Sequence, residues 1–259
     1  VLTAPPELSI WRAPTDNDGL KLWTGQANKP LGRWKGLGLD QVESRLTDYA
    51  IARPGEGSAW SWTFQASGRE QWSDFTWSYR ILLEAPDRLR LQATFKPGPE
   101  LVDLPRIGLI FRLAPGYEHL AWDGLGPFEN YPDRVAACWD AVHESTVRDQ
   151  YTPYIMPQEN GLKCETRWVR LGGKKGSVRV EGGQPFAFSA THFHPMDLTQ
   201  SFHTHELQPR RETVLCIDAA HRGVGTGSCG PDTRPEYRLA AKKVQLDLGW
   251  TLGDAANTT

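Results

Sequence analysis

Two glutamates, Glu129 and Glu159, stand in stretches whose composition suits a site. Glu129 lies in Gly124-Leu125-Gly126-Pro127-Phe128-Glu129-Asn130-Tyr131-Pro132-Asp133-Arg134, and Glu159 in Tyr151-Thr152-Pro153-Tyr154-Ile155-Met156-Pro157-Gln158-Glu159-Asn160-Gly161. Either carboxyl could act as a general acid or base, and a pair held about 5 to 5.5 Å apart would suit retaining glycoside cleavage. Position in the chain does not set that separation. For Glu129 the structural reading weighs more, because Arg134 can bridge carboxylates such as Glu129 and Asp133 and pin the loop. For Glu159, Pro153 and Pro157 keep the segment extended, so that it can simply cross the face of a sheet.

A third polar stretch, Trp11-Arg12-Ala13-Pro14-Thr15-Asp16-Asn17-Asp18-Gly19, places three turn-forming side chains before a glycine able to take positive φ. Asp16, Asn17 and Asp18 could accept hydrogen bonds from hydroxyls or hold a cation, although such runs more often satisfy their own backbone. The glycine-rich stretch from Gly223 to Asp232 has the look of a phosphate loop. No strand–loop–helix unit follows it, and Pro231 opposes the helix such a loop needs, so only close backbone approach to a neighbour or ligand is left. His192 with His194, and His203 with His205, form two His-x-His pairs that a period of two would place on one strand face, where imidazoles could take zinc. Acidic supporting partners are not evident, so hydrogen-bonding histidines are the favoured reading and no metal is assigned. Cys138, Cys164, Cys216 and Cys229 lie far apart. They read as buried thiols of a reducing, cytoplasmic compartment.

The elements that must position these residues are strands. Apolar side chains alternate at Trp60, Trp62 and Phe64, then from Phe75 to Leu83, Leu89 to Phe95 and Ile107 to Leu113, with weaker alternation out to Trp250. Ala85-Pro86-Asp87 and Lys96-Pro97-Gly98-Pro99 punctuate them as turns. Helical spacing appears at Leu39, Val42, Leu46 and Tyr49, and one short turn of helix is expected from Met196 to Ser201. Residues from about 120 to 170, dense in Gly and Pro, read as long ordered loops. The expectation is all-β: one large antiparallel sandwich spanning residues 1–259.

Composition removes several function classes. The 29 Lys and Arg balance 31 Asp and Glu with no cluster of one sign, so a nucleic-acid or anionic-membrane surface has no electrostatic basis. No apolar run approaches the roughly 20 residues that cross a bilayer, and a soluble chain is expected. The opening Val1-Leu2-Thr3-Ala4-Pro5-Pro6 reads as neither a natural start nor a secretion leader, and suggests a piece of something larger. Eleven tryptophans suit the filling of a thick core, and a few could stack on sugar rings.

Taken together, Arg12 to Asp18, Gly124 to Arg134, Tyr151 to Gly161, and Gly225 with Ser228-Cys229-Gly230-Pro231 resemble, in that order, the last domain of glycoside hydrolase family 2 β-galactosidases. In some members that domain is a separate small chain. The resemblance implies a galactose-mutarotase-like sandwich and a parent that cleaves terminal β-galactosides with retention. It implies that the nucleophilic and acid/base glutamates lie in a catalytic barrel domain outside this chain, leaving no catalytic residue here. Asp16, Asn17, Asp18, Gly19, Trp23, Ser228 and Cys229 would lie close to substrate, with Gly19 to Trp23 as a gate. Arg12, Glu129, Asp133, Arg134, Glu159 and Asn160 would structure the loops. Cys229 takes the place of a family tryptophan that forms an apolar platform. Magnesium and sodium would belong to the parent's other domains, and the parent would be a homo-oligomer. Two other classes compete: an aldose 1-epimerase using Glu159 with His192 or His205, and a carbohydrate-binding module without chemistry.

Overall fold

The computed structural model describes residues 1–22, 26, 28–52 and 59–254. Alternating apolar residues become fourteen strands: β1 (Glu7–Ser9), β2 (Glu43–Ile51), β3 (Ala59–Ser67), β4 (Phe75–Ala85), β5 (Arg88–Pro97), β6 (Asp103–Leu104), β7 (Arg106–Leu113), β8 (His119–Gly126), β9 (Trp139–Thr146), β10 (Lys163–Gly173), β11 (Gly176–Thr191), β12 (Thr213–His221), β13 (Leu239–Ala240) and β14 (Val244–Gly253). Twelve join one antiparallel sheet in the order β1-β7-β12-β11-β14-β5-β4-β3-β2, with β10, β8 and β9 branching from β11. The branch follows from the length of β11. Its first half pairs with β14 and its second half with β12, while β10 runs along the other edge of both.

That branching folds the sheet back over itself into a sandwich. Phe111 on β7 meets Trp250 on β14 at 4.7 Å between ring centroids, although β12 and β11 separate their strands in the sheet. One apolar cluster fills the gap, including Phe95, Leu109, Val180, Phe188 and Leu248. Burial of this kind is the main favourable contribution to folding. The antiparallel sandwich expected from the alternation is therefore the observed fold.

β2, β3 and β4 form a wing at one end of the sheet. Register aligns Leu46, Phe64, Trp77 and Phe95 in one row, and Tyr49, Trp62, Tyr79 and Ala93 in the next. The rings stand like books on a shelf, Phe64 against Trp77 at 4.4 Å and Trp62 against Tyr79 at 4.8 Å. Burial fades across the first row, from Phe95 at 0% and Trp77 at 2% exposed to Leu46 at 50%.

The helical spacing at Leu39, Val42, Leu46 and Tyr49 proves misleading. Only a 3₁₀ turn at Leu39–Gln41 forms, followed by β2. The register shifts between Leu46 and Asp48, and this bulge adds one residue, so Leu46 and Tyr49 share a strand face at a spacing of three. The 120–170 region holds β8, β9 and part of β10 as well as its loops, because Gly-rich β8 packs where side chains would not fit. The turn of helix near Met196 is present at Pro195–Gln200, capped by His194 and Asp197. The histidine pairs do not lie on strand faces: His192 follows the end of β11, and His203 and His205 sit at a 3₁₀ turn, Thr204–Glu206. All four cysteines are free, but only Cys164 and Cys216 are buried, and Cys229 is exposed. Burial pushes the Cys164 thiol up to about 12 and that of Cys216 up to about 11, which leaves both unreactive.

Candidate functional site

Arg12 and Asp18, both wholly buried, set the site. The Arg12 guanidinium grips Asp18 with Nε at 3.1 Å and Nη2 at 2.7 Å, and donates to the carbonyls of Arg222 at 2.6 Å and Gly223 at 2.9 Å. Asp18 in turn accepts from the backbone N–H of Thr15 at 3.0 Å, closing the Thr15–Asp18 turn. A buried charge is tolerable only when paired and hydrogen-bonded, and each member of this pair is. Arg222 extends the network to Asp103 and Asp232. Both guanidiniums lie near the Trp34 ring, Arg12 at 5.4 Å and Arg222 at 5.6 Å from its centroid.

The same tie draws the glycine-rich loop against the Asp-Asn-Asp turn. Asn17 Nδ2 donates to the carbonyls of Gly227 at 2.8 Å and Pro231 at 2.9 Å. Ser228 Oγ donates to Asp16 Oδ2 at 3.2 Å, and the Cys229 N–H donates to the Asp16 carbonyl at 3.1 Å. Gly225 has φ +74°, and a Cβ there would lie 2.2 Å from Asn17 Oδ1. Glycine is thus required twice, by backbone and by contact.

Between these loops lies a cleft of about 350 Å³, lined by Thr15, Asp16, Asn17, Tyr131, Asp133, Arg134, Tyr154, Gln158, Glu159, Val224, Gly225, Thr226, Gly227 and Ser228. Two of its lining groups, Asn17 Oδ1 and the Tyr131 hydroxyl, are buried and have no hydrogen-bond partner among the described residues. Such groups are rare and call for a reason. Burial, with Glu159 and Glu129 nearby, raises the Tyr131 phenol well above its ordinary range, so it is a neutral donor.

Both glutamates sit against charged or hydrogen-bonding partners. Glu129 Oε1 accepts from Arg134 and from the Tyr154 hydroxyl, and Oε2 accepts from the Gly161 N–H at 2.8 Å. Glu159 is buried 3.6 Å from Arg106 and 3.7 Å from His221. Burial pushes its carboxyl upward, but Arg106, His221 and Arg12 outweigh this and hold it below the usual carboxylate range. Arg106 also pairs with buried Asp218 at 2.6 Å. The partners envisaged for an epimerase are occupied elsewhere: His192 meets Glu118 at 2.9 Å, and His205 stacks on His203.

Asp133 accepts from the N–H groups of Val224 and Gly225 and from the Thr233 hydroxyl, so it fixes the glycine-rich loop while Arg134 holds Glu129. Asn160 Oδ1 accepts from the Thr152 N–H at 3.0 Å. Gly19, at φ +144°, donates to the Thr15 carbonyl at 3.2 Å. Trp23, the aromatic named for the gate, lies outside the described residues. Just before it, Lys21 donates to the carbonyls of Pro157, Leu198 and Ser201, and burial pulls its ammonium down to about 8. Tyr131, Gln158, Tyr154, His221 and Arg222 escaped sequence reasoning. Tyr131 and Tyr154 stood in the quoted motifs, but only the fold shows which hydroxyl is left unpaired.

These features define a class: an all-β sandwich with a polar cleft between two loops, in which Glu129 and Glu159 lie beside arginines. The chain belongs to the beta galactosidase small chain family, which matches residues 1–252. Among similar proteins are a beta-galactosidase of Vibrio vulnificus, 30% identical over 254 residues covering 95% of this chain and 24% of the relative. Another, from Lactococcus lactis, is 35% identical over 246 residues, covering 93% and 24% respectively. The chain thus spans about a quarter of the length of the curated relatives it matches. A galactose mutarotase-like protein from Lactobacillus casei overlays 79% of this chain and 73% of its own at 13% identity with a TM-score of 0.42. That overlap is too slight to add to the strand pairing itself.

Proposed function

We propose that this chain is the C-terminal domain of a retaining β-galactosidase that hydrolyses terminal β-D-galactosides such as lactose, and that it walls the galactose pocket without supplying a catalytic group. The observation that carries the reading is the cleft at Asp16–Asn17 and Gly225–Ser228. Tyr131 and Asn17 line it, and the Tyr131 hydroxyl and Asn17 Oδ1 have no hydrogen-bond partner among the described residues, while Glu129 and Glu159 are tied into ion pairs. Sugar hydroxyls both donate and accept, and they suit a site lined by residues with an unpaired phenol and an unpaired amide oxygen.

In this reading the nucleophile and the acid/base glutamate come from a catalytic barrel domain, on the same polypeptide or a separate large subunit, and the parent is a cytoplasmic glycoside hydrolase family 2 homo-oligomer. Gly19 to Trp23 serves as the gate, held at its root by Lys21, and Cys229 offers too little face to stack an aglycone. Magnesium and sodium belong to the parent's other domains. Rigorously purified chain will not turn over an aryl β-galactoside. Turnover that disappears in Glu129→Gln or Glu159→Gln would overturn the reading.

A further inference from the structure

The two His-x-His pairs part company in the structure. His192 and His194 turn to separate partners, Glu118 and Glu7. His203 and His205 instead converge with Glu206, one ligand atom of each lying within 4.8 Å of the other two. We propose that the His203–Glu206 turn binds one borderline divalent cation, of which Zn²⁺ is the type, through His203, His205 and Glu206, with water completing the shell.

The turn builds this set locally. His203 caps the Thr204–Glu206 turn and Glu206 closes it in a capping box, which puts His203 Nδ1 2.8 Å from Glu206 Oε1. The His205 ring lies 5.4 Å from that of His203 at 22° between planes, bringing a second imidazole to the same side. The other Glu206 oxygen accepts from the Phe202 N–H at 2.7 Å and orients the carboxylate, the kind of support that metal ligands ordinarily have. A cation entering here would take the place of the hydrogen between His203 Nδ1 and Glu206, the imidazole keeping its proton on Nε2. Two nitrogens and one oxygen favour Zn²⁺ or Cu²⁺ over Mg²⁺ or Ca²⁺. All three side chains are exposed, so an ion reaches them directly and their replacement leaves the core untouched.

The test is calorimetric titration of the full chain with ZnCl₂, in a Cys138→Ser/Cys229→Ser background that removes the accessible thiols. One Zn²⁺ per chain is expected. His203→Ala and His205→Ala should each weaken binding at least about tenfold, His192→Ala should leave it unchanged, and MgCl₂ should give no heat. Cu²⁺ bound to the same protein should show nitrogen coupling in its electron paramagnetic resonance spectrum, lost in the His203→Ala/His205→Ala pair. Unchanged Zn²⁺ affinity in that pair, or binding seen only when the cysteines are intact, would overturn the assignment.

Discussion

Around the cleft, buried charges hold the structure: Arg12 with Asp18, Arg106 with Asp218 and Glu159, and Arg222 with the half-buried Asp103 and Asp232. On the β2–β4 wing the holding side chains are aromatic, buried Trp77 and Tyr79 stacked on the partly buried Phe64 and Trp62 of the neighbouring strand. The wing's contacts come from successive hairpins and need only local register. The cleft's contacts join residues about two hundred positions apart, as when Arg12 holds the carbonyls of Arg222 and Gly223. Directional bonds can fix loops to within the tolerance a ligand demands, whereas apolar stacking is forgiving of small shifts. The proposed recognition site lies at the charged end.

The largest effect should come from Arg12→Met. It strands Asp18 in a dry interior, and breaking one side of a buried pair costs about 3–5 kcal/mol. Urea unfolding should show this loss, and a change under about 1 kcal/mol would mean the pair is not what holds the pole. Next comes Gly225→Ala, expected to cost about 1–3 kcal/mol because φ +74° and the 2.2 Å approach to Asn17 both oppose a side chain. An equally stable variant would show that the two loops are less tightly joined than drawn. On the wing, Phe64→Leu should cost only about 0.5–1.5 kcal/mol, the worth of the lost ring stacking. A loss matching that of Arg12→Met would erase the contrast between the two ends.

Acid sharpens the same contrast. The Glu159 carboxyl sits below its ordinary range, so its contribution is fully present above the unfolded value of about 4.3 and is lost as pH falls through the lower folded value. Asp218 runs the other way, since burial raises its pKa in the folded protein. Glu159→Gln should therefore flatten the acid limb of the stability profile below about pH 4. A limb as steep as that of the unchanged protein would assign the acid sensitivity to other groups.

The wing was readable in the sequence because period-two alternation reports which side chains face inward, and Trp60 to Leu83 keeps it with little interruption. Leu46 and Tyr49 misled because a single bulge turns strand spacing into helix spacing. The Asp-Asn-Asp run and the glycine-rich loop were legible as loops, and Arg134 as a brace for Glu129. That Arg12 reaches across to Arg222, or that Glu159 meets His221 rather than His192 or His205, was not. Those pairings depend on how β12 lies beside β7, a long-range choice that no local pattern encodes.

The most direct test of the recognition claim is Tyr131→Phe in the complete protein. The Tyr131 hydroxyl bonds to no described residue, so its removal should not destabilise the fold, and a purely structural cleft would leave kinetics untouched. If the cleft receives the sugar, kcat/KM for an aryl β-galactoside should fall about tenfold, the worth of one hydrogen bond of about 1.4 kcal/mol. An unchanged kcat/KM would contradict the placement of substrate against this wall.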